Sequence, residues 1–567
     1  MNLTGHRIQF YENGELRIEK YDSNHNMSLT MDKINGQYMN LRFCVKKYMR
    51  ARAHIWILLG LSFLAAVSCG RREPVQDRLV VRLEEDPSTL DPARIVDYWG
   101  GVIGAKLYQG LLVYDEKLNL VGDLADSWSV HDGGKRYRFR LRESFFSNKE
   151  KVLSGDVKYS MERLASPETA SPRSWMTDPI LGVESFREGD SEQIDGIRVI
   201  GDRELEIELK EPLAIFPGLL AMPNFYVVPA GGCQGGGTVG SGPFMVASWK
   251  HDYELILERN PYWTGESPGV ASIEYRIIPE DFSALSEYDA GSISVMEVPD
   301  SQLPTVRKRM PEQIVEIPGL NTYYIGMNCR RPPFDDARLR RALNMAVDRE
   351  MIVRTLLSGS AVVAKGPIPP GIPGYDPGLK GYPYDPEAAA GLIEAVGWKG
   401  RIKLYGPADR KVLGRLVAIQ HYLGEAGLGI DIVQLEWSAF KEAINTGEAD
   451  LFYISWWADY PDGENFLFPT FHSSNRGPLG NRAEYSNPGV DRLIERARVT
   501  VDARKRAGLY RDAQRMIVED APWVFLWHKK DIWVHQPRVE GFRLYPVYNS
   551  DKGLGIFLNK KNSNIEK

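Results

Sequence analysis

The sequence predicts an α/β protein divided into two or three lobes, and three observations carry that expectation. The chain is 567 residues long, more than one hydrophobic core organises. Its first half holds segments that alternate polar and apolar residues with period two, as half-buried strands do. Its second half interleaves capped helices with short apolar strands, the pattern of an α/β layer. With 43% hydrophobic and 26% charged residues, the composition suits packed domains and excludes disordered or fibrous classes.

At the N-terminus, Met49-Arg50-Ala51-Arg52-Ala53-His54 is a short basic segment, residues 55–67 form an apolar run, and Ser68-Cys69-Gly70 closes it. That run is too short to span a bilayer well but suits a signal-peptide core. Leu64-Ala65-Ala66-Val67-Ser68-Cys69 resembles a bacterial lipobox, in which small residues precede a cysteine that receives diacylglycerol. The plainer alternative is a buried apolar helix beside a free cysteine. On the lipobox reading, residues 1–48 are a mis-called extension, Met49 is the start, residues 49–68 are the lipoprotein signal peptide and Cys69 is the lipid attachment site. Cleavage before Cys69 leaves 499 residues with 61 basic and 70 acidic side chains, a net charge of −9. That balance lacks the basic face nucleic acid demands. Beyond Cys69 only Cys233 and Cys329 remain. An oxidising compartment permits a disulfide between them, and two free thiols fit equally well.

Arg136-Tyr137-Arg138-Phe139-Arg140-Leu141-Arg142 alternates with period two, and so does Glu204-Leu205-Glu206-Ile207-Glu208-Leu209-Lys210. Glu254, Ile256 and Glu258 alternate with Leu255 and Leu257 in the same way. The first half should therefore hold antiparallel or mixed sheets with one solvated face. Residues 231–242 are a glycine-rich loop. In the second half, Asp335 or Asp336 caps a helix through Leu339, Leu343 and Val347, and Asp348 starts the next, which meets Gly359. Asp385-Pro386 opens a helix ending near Gly397, and Asn487-Pro488 opens a long helical stretch to about Glu519. Between them lie strand-like segments at 402–405, 430–435 and 451–455.

Three pattern matches to catalytic or metal chemistry fail on context. Gly235-Gly236-Gly237-Thr238-Val239-Gly240 fits GxGxxG, but Ser241-Gly242-Pro243 cannot open the helix a dinucleotide site needs. Gly265-Glu266-Ser267-Pro268-Gly269 fits GxSxG, yet a proline follows the serine and no apolar strand leads in. His472 and His528 belong to no HExxH, CxxC or zinc-like spacing. The sequence thus gives no ground for an enzyme, a cofactor or a metal site.

A set of modest motifs, in order along nearly the whole mature chain, is more specific. It runs from Leu90-Asp91-Pro92, Leu107-Tyr108-Gln109-Gly110-Leu111 and Leu124-Ala125-Asp126-Ser127-Trp128 through Gly155-Asp156-Val157-Lys158-Tyr159-Ser160 and Gly240-Ser241-Gly242-Pro243-Phe244. It continues with Arg259-Asn260-Pro261-Tyr262-Trp263, Arg338-Leu339-Arg340-Arg341-Ala342-Leu343-Asn344, Ala346-Val347-Asp348-Arg349 and Trp457-Ala458-Asp459-Tyr460-Pro461-Asp462. In these pieces the chain resembles the bacterial extracellular solute-binding proteins of family 5, the oligopeptide- and dipeptide-binding lipoproteins of ABC transporters. It departs from the family pattern at Phe145-Phe146-Ser147-Asn148-Lys149, where a histidine and glycine are usual, and in a shorter, more glycine-rich stretch before Gly240.

The resemblance implies a two-lobed fold of the periplasmic-binding-protein type II class, cluster C, with an extra domain on the first lobe. Its expected layout is lobe I at 78–113, extra domain II at 114–190, lobe I again at 191–321, the α/β lobe III at 322–525 and a return to lobe I at 526–560. Crossings between lobes are expected near 322–328 and 523–528, both extended and apolar. The implied function is capture of peptides in a hinged cleft outside the cytoplasm and delivery to the permease subunits of an ABC importer. The protein is expected to be a monomer held to the cell-envelope membrane by its N-terminal lipid, without cofactor and without nucleic-acid partners. Within the resemblance, Asp459 is the residue that pairs with the ligand's α-amino group, since a desolvated ammonium needs a carboxylate; an Asx turn before Pro461 is its alternative role. The backbone of Ser455 and Trp457, and the segment Asp86-Pro87-Ser88, would add strand-like bonds to the peptide, and Trp456 with Trp457 would wall a side-chain pocket. Asp459 is expected to have the ligand as its partner and open water otherwise. Other ligands borne by the family, namely nickel chelates, haem or oligosaccharides, and a lipoprotein sensor or adaptor role are the rival readings.

Overall fold

Alternation and capping in this sequence turn into the expected elements almost one for one. The computed structural model describes residues 6–10, 16–20, 77–232 and 238–559. Two compact units divide the chain, residues 1–75 and 76–567. In the first, His6–Phe10 pairs antiparallel with Leu16–Lys20. The signal-peptide and lipobox segment through Cys69, Cys233, and the glycines at 235–237 lie outside the described residues. Cys329 is a free thiol whose burial pushes it up to about 11.

The second unit is built on one sheet of twelve strands. In chain order they are β1 (Arg78–Leu83), β2 (Phe244–Lys250), β3 (Glu254–Arg259), β4 (Ser272–Ile277), β5 (Val295–Glu297) and β6 (Ile314–Pro318). There follow β7 (Asn321–Met327), β8 (Ala361–Val363), β9 (Ile402–Pro407), β10 (Ile430–Leu435), β11 (Leu451–Trp457) and β12 (Trp523–His535). Their order in space is β2-β3-β4-β1-β5-β12-β7-β11-β9-β10, with β6 and β8 each paired to β12 off that path. β12 belongs to two ladders. Residues 530–535 pair with β5 and β6, and residues 523–529 pair with β7 and β8. The sheet is thus two half-sheets sharing one strand.

The first half-sheet carries the expected alternation with one correction. Glu254 is buried rather than solvated, because the register sets it opposite Lys250 on β2 and Arg276 on β4; Lys250 Nζ lies 2.8 Å from its Oε1. A buried carboxylate needs such a partner.

A separate four-stranded antiparallel sheet orders Ala125–His131, Arg136–Leu141, Glu204–Glu208 and Ile197–Gly201. Tyr137, Phe139, Leu205 and Ile207 point into its core, against Val157 and Met161 of the helix Ser154–Ala165. The arginines between them face water and meet glutamates, as Arg138 meets Glu204 at 3.0 Å. The sheet runs across residue 190, so segments on both sides of the expected division at 190–191 share one ladder. Tyr460, from the other half of the chain, enters this core.

In the second half-sheet, helices pack on both faces of a mixed layer. Asp336, Asp348 and Asp385 cap helices Ala337–Ala346, Arg349–Thr355 and Pro386–Val396, and Gly397 closes the last in the left-handed region at φ 72°. The stretch after Asn487-Pro488 is two helices rather than one, Pro488–Val499 and Ala503–Asp520, because Asp502 takes the backbone N–H groups of Arg504 and Lys505 and starts a new helix. Cores lie on both faces, with Tyr324, Phe452 and Trp523 on one side and Ile325, Leu451 and Val524 on the other.

That double burial explains why the chain crosses between half-sheets elsewhere than expected. The apolar character of 322–328 and 523–528 comes from core strands. The crossings themselves are at 318–321, between β6 and β7, and at 529–531, where β12 passes from one ladder to the other.

Candidate functional site

Where the two half-sheets meet, a cavity of about 580 Å³ opens over the crossing strand. β12 brings Lys529, Asp531 and Trp533 to it from one face of the strand, and Lys530 beside them. β5 adds Glu297, whose register partner is Trp533. The helix Tyr98–Leu107, capped by Asp97, which takes the Gly100 N–H at 2.7 Å, brings Asp97, Tyr98 and Trp99 to the first wall. The opposite wall is the end of β11 and its following turn: Ser455, Trp456, Trp457, Ala458 and Asp459.

β11 is open on one side here. It pairs with β7 along its whole length but with β9 only through Leu451 and Phe452. Ala458 donates its backbone N–H to Leu320 O at 2.8 Å. In an antiparallel ladder residues alternate in direction, so Ser455 and Trp457 turn their backbone N–H and C=O away from β7, toward the free edge. A free edge of this kind is a template for an added strand.

Asp459 is already engaged. Arg173 reaches it from the domain of the four-stranded sheet, Nη2 to Oδ1 at 3.0 Å and Nη1 to Oδ2 at 3.4 Å. The expectation that its carboxylate meets only ligand and water is therefore corrected. The hydrogen bonds seen at its carboxylate are both from Arg173, while its own N–H donates to Asn465 Oδ1 at 3.1 Å and holds the turn from outside. Beyond the Arg173–Asp459 pair lies a second cavity of about 470 Å³, lined by Trp175, Leu213, Phe468 and Leu479 among others, with Trp456 common to both.

Asp86 and Ser88 do not join this wall. Asp86 accepts from Trp249 Nε1 at 3.0 Å and meets His251 Nδ1 at 2.8 Å. Ser88 donates to Asp97 Oδ2, and so touches the site only through that cap. His472 and His528 lie elsewhere in structural roles, with His528 Nδ1 donating to Asn321 O at 2.8 Å and His472 bonded to Ser474.

The cavity's charge is lopsided. Glu84, Asp97, Glu297, Asp459 and Asp531 face Arg173, Lys529 and Lys530. Each cation has a carboxylate: Arg173 has Asp459, Lys529 has Asp300 at 3.2 Å, and Lys530 has Glu316. Burial, then the neighbouring Glu297, raises the Asp531 carboxyl to about 7. The Glu297 carboxyl opens onto the cavity's water, yet the protein around it still holds it above the usual carboxylate range. Arg173, Glu297 and Asp531 were not among the residues singled out from sequence. Glu297 had a signal, since it is an acid interrupting an apolar extended segment, whereas Asp531 ends the polar run His528-Lys529-Lys530-Asp531. Arg173, in a Ser-Pro-Arg-Ser loop, had none.

Residues 119–478 match the model of "Bacterial extracellular solute-binding proteins, family 5 Middle". The chain is 28% identical to the "Probable D,D-dipeptide-binding periplasmic protein" of Escherichia coli (strain K12), over 83% of this chain and 92% of that one. It is 27% identical to that organism's "Probable deoxycholate-binding periplasmic protein", over 88% and 97%. Among solved structures it resembles an ABC transporter-associated periplasmic binding protein from Helicobacter pylori in complex with the peptide STSA, with a TM-score of 0.73, 24% identity and coverage of 85% and 98%.

Proposed function

Because the chain belongs to the bacterial extracellular solute-binding proteins of family 5, a substrate-binding rather than catalytic transport family, we propose that it captures peptides in the cavity over β12 and delivers them to an ABC importer. The observation that carries this reading is the unpaired edge of β11 along the cavity wall. An extended peptide has backbone N–H and C=O groups that must be bonded once buried. Ser455 and Trp457 offer such bonds without reading side chains, whereas a sterol or a sugar lacks the repeating N–H and C=O groups that pair with a strand edge. Closure of the two half-sheets about the crossings at 318–321 and 529–531 would enclose the ligand, as hinged receptors do.

Asp459 is the proposed acceptor of the peptide's α-ammonium, shared with Arg173. Its two oxygens offer more lone pairs than one guanidinium uses, and one of the two Arg173 contacts is long at 3.4 Å. Trp456 and Trp457 are the proposed walls beside the first side chain. Ser88 keeps a supporting place through Asp97, whereas Asp86, engaged by Trp249 and His251, is left out of the proposed site. We further propose that Cys69 carries the lipid that holds the receptor to the membrane outside the cytoplasm, supported by the basic flank, apolar run and small residues before it.

Calorimetry on four combinations tests the Asp459 role. Asp459→Ala is expected to weaken an unblocked tripeptide by roughly 2–5 kcal/mol, and an N-acetylated tripeptide by much less. The non-additivity of the two changes is the claim itself. The variant loses its ion pair with Arg173, at a cost of about 1 kcal/mol in folding stability. Equal losses for both peptides would leave Asp459 a partner of Arg173 alone.

A further inference from the structure

Resting on the peptide-capture reading, we propose that Glu297 and Asp531, walled by Tyr98, Trp99 and Trp533, form a second cation subsite that selects peptides with a basic side chain. The two carboxylates sit on neighbouring strands, on the face of the sheet that lines the cavity, and Glu297 and Trp533 are register partners. Neither has a hydrogen-bond or ion-pair partner among the described residues; Asp531 is half-buried and Glu297 is exposed. Lys529 lends both carboxylates some positive charge, but its ion pair is with Asp300 at 3.2 Å. The charge of Glu297 disfavours a second charge on Asp531, and a guest cation between the two would relieve that repulsion.

The walls fit the same guest. Tyr98 and Trp99 meet edge to face at 4.9 Å between ring centroids, and Trp99 meets Trp533 at 6.2 Å. Tyr98 is 40% exposed, an aromatic face turned to the cavity rather than into the core. Aromatic faces attract ammonium and guanidinium groups and pack the alkyl stems that carry them. Acid pair and aromatic wall together describe a lysine or arginine side chain, or an equivalent alkyl amine. Asp459, with Arg173 already on it, is left to the backbone end of the peptide.

The test uses unblocked tripeptides of alanine with lysine at each of the three positions, each compared by calorimetry with the same peptide carrying norleucine instead. Wild type is expected to prefer a lysine peptide at least tenfold at one position. Glu297→Gln/Asp531→Asn should reduce that preference to within about twofold, by weakening the lysine peptide more than the norleucine peptide. No lysine preference at any position in wild type, or a preference that survives in the double variant, overturns the subsite and leaves peptide capture standing. If no tripeptide binds at all, the peptide reading falls, and cadaverine serves as the probe. Binding of cadaverine that is lost in the double variant keeps the cation subsite, and absence of binding ends it as well.

Discussion

His528 lies at the point where β12 leaves the α/β half, 3% exposed, with Nδ1 donating to Asn321 O and 3.1 Å from Thr322 Oγ1. Burial lowers its titration from the usual 6.5 to about 4. The unfolded chain protonates this histidine below pH 6.5 while the folded one resists to about pH 4, so the unfolded state binds more protons in that window and stability falls with acidification. At pH 5 the loss from this residue alone is roughly 2 kcal/mol. Denaturant unfolding of His528→Asn should show a correspondingly flatter dependence between pH 7 and 5, and parallel curves for variant and wild type would exclude it. Asp531 works in the opposite sense: folding raises its carboxyl to about 7, so its charge in the cavity is complete only above that pH. Legibility at this scale followed local context. Asp459 and the Ser455–Trp457 segment stood out through a motif, and Glu297 could be seen as a charge breaking an apolar segment, whereas Asp531 was hidden at the end of a polar run. Arg173 was invisible because its partner is 286 positions away and only the fold brings them together.

The helix Arg410–Glu425, capped by Asp409, carries Lys411 and Arg415 one turn apart on one side. Both reach from the second half-sheet to the first: Lys411 to Asp281 at 3.0 Å and Glu84 at 3.8 Å, Arg415 to Asp300 at 3.1 Å. The Arg415–Asp300 pair is nearly buried, so it contributes more than the exposed Lys411 contacts. Replacing both by alanine should shift the equilibrium between closed and open cleft by roughly 1–3 kcal/mol toward open. Small-angle scattering of the unliganded variant would then give a larger radius of gyration than wild type, and identical radii would mean that these pairs do not hold the halves. Elements were the most readable level of the sequence. Caps at Asp336, Asp348 and Asp385 and the alternation at Arg136–Leu141 appear where expected. The break between Val499 and Ala503 was obscured because apolar residues continue through Val499 and Val501 while Asp502 restarts the helix. The crossing positions were misread because a strand buried on both faces and an extended linker have the same apolar composition.

For the whole molecule, the proposed lipid at Cys69 makes a prediction independent of the cleft. Cys69→Ala, expressed in a bacterial host, should move the protein from the membrane fraction to the soluble one, since the acyl chains supply the anchor. Retention after a high-salt wash would show attachment by other means. The broad α/β plan was legible because length and periodicity are whole-chain properties, whereas the placing of 197–208 in the four-stranded sheet depends on pairing across the chain that no local pattern records. The shared strand has a consequence for how the protein comes into being. β12 is 13 residues that both half-sheets need, and they are made after every other strand of the large sheet. Its contacts span long separations, as between Asn321 and Lys529, 208 positions apart. Until that segment emerges, β5 and β7 each lack the neighbour that closes their ladder, and pairings of such range form slowly. The order of synthesis therefore keeps the large sheet unfinished until β12 has been made.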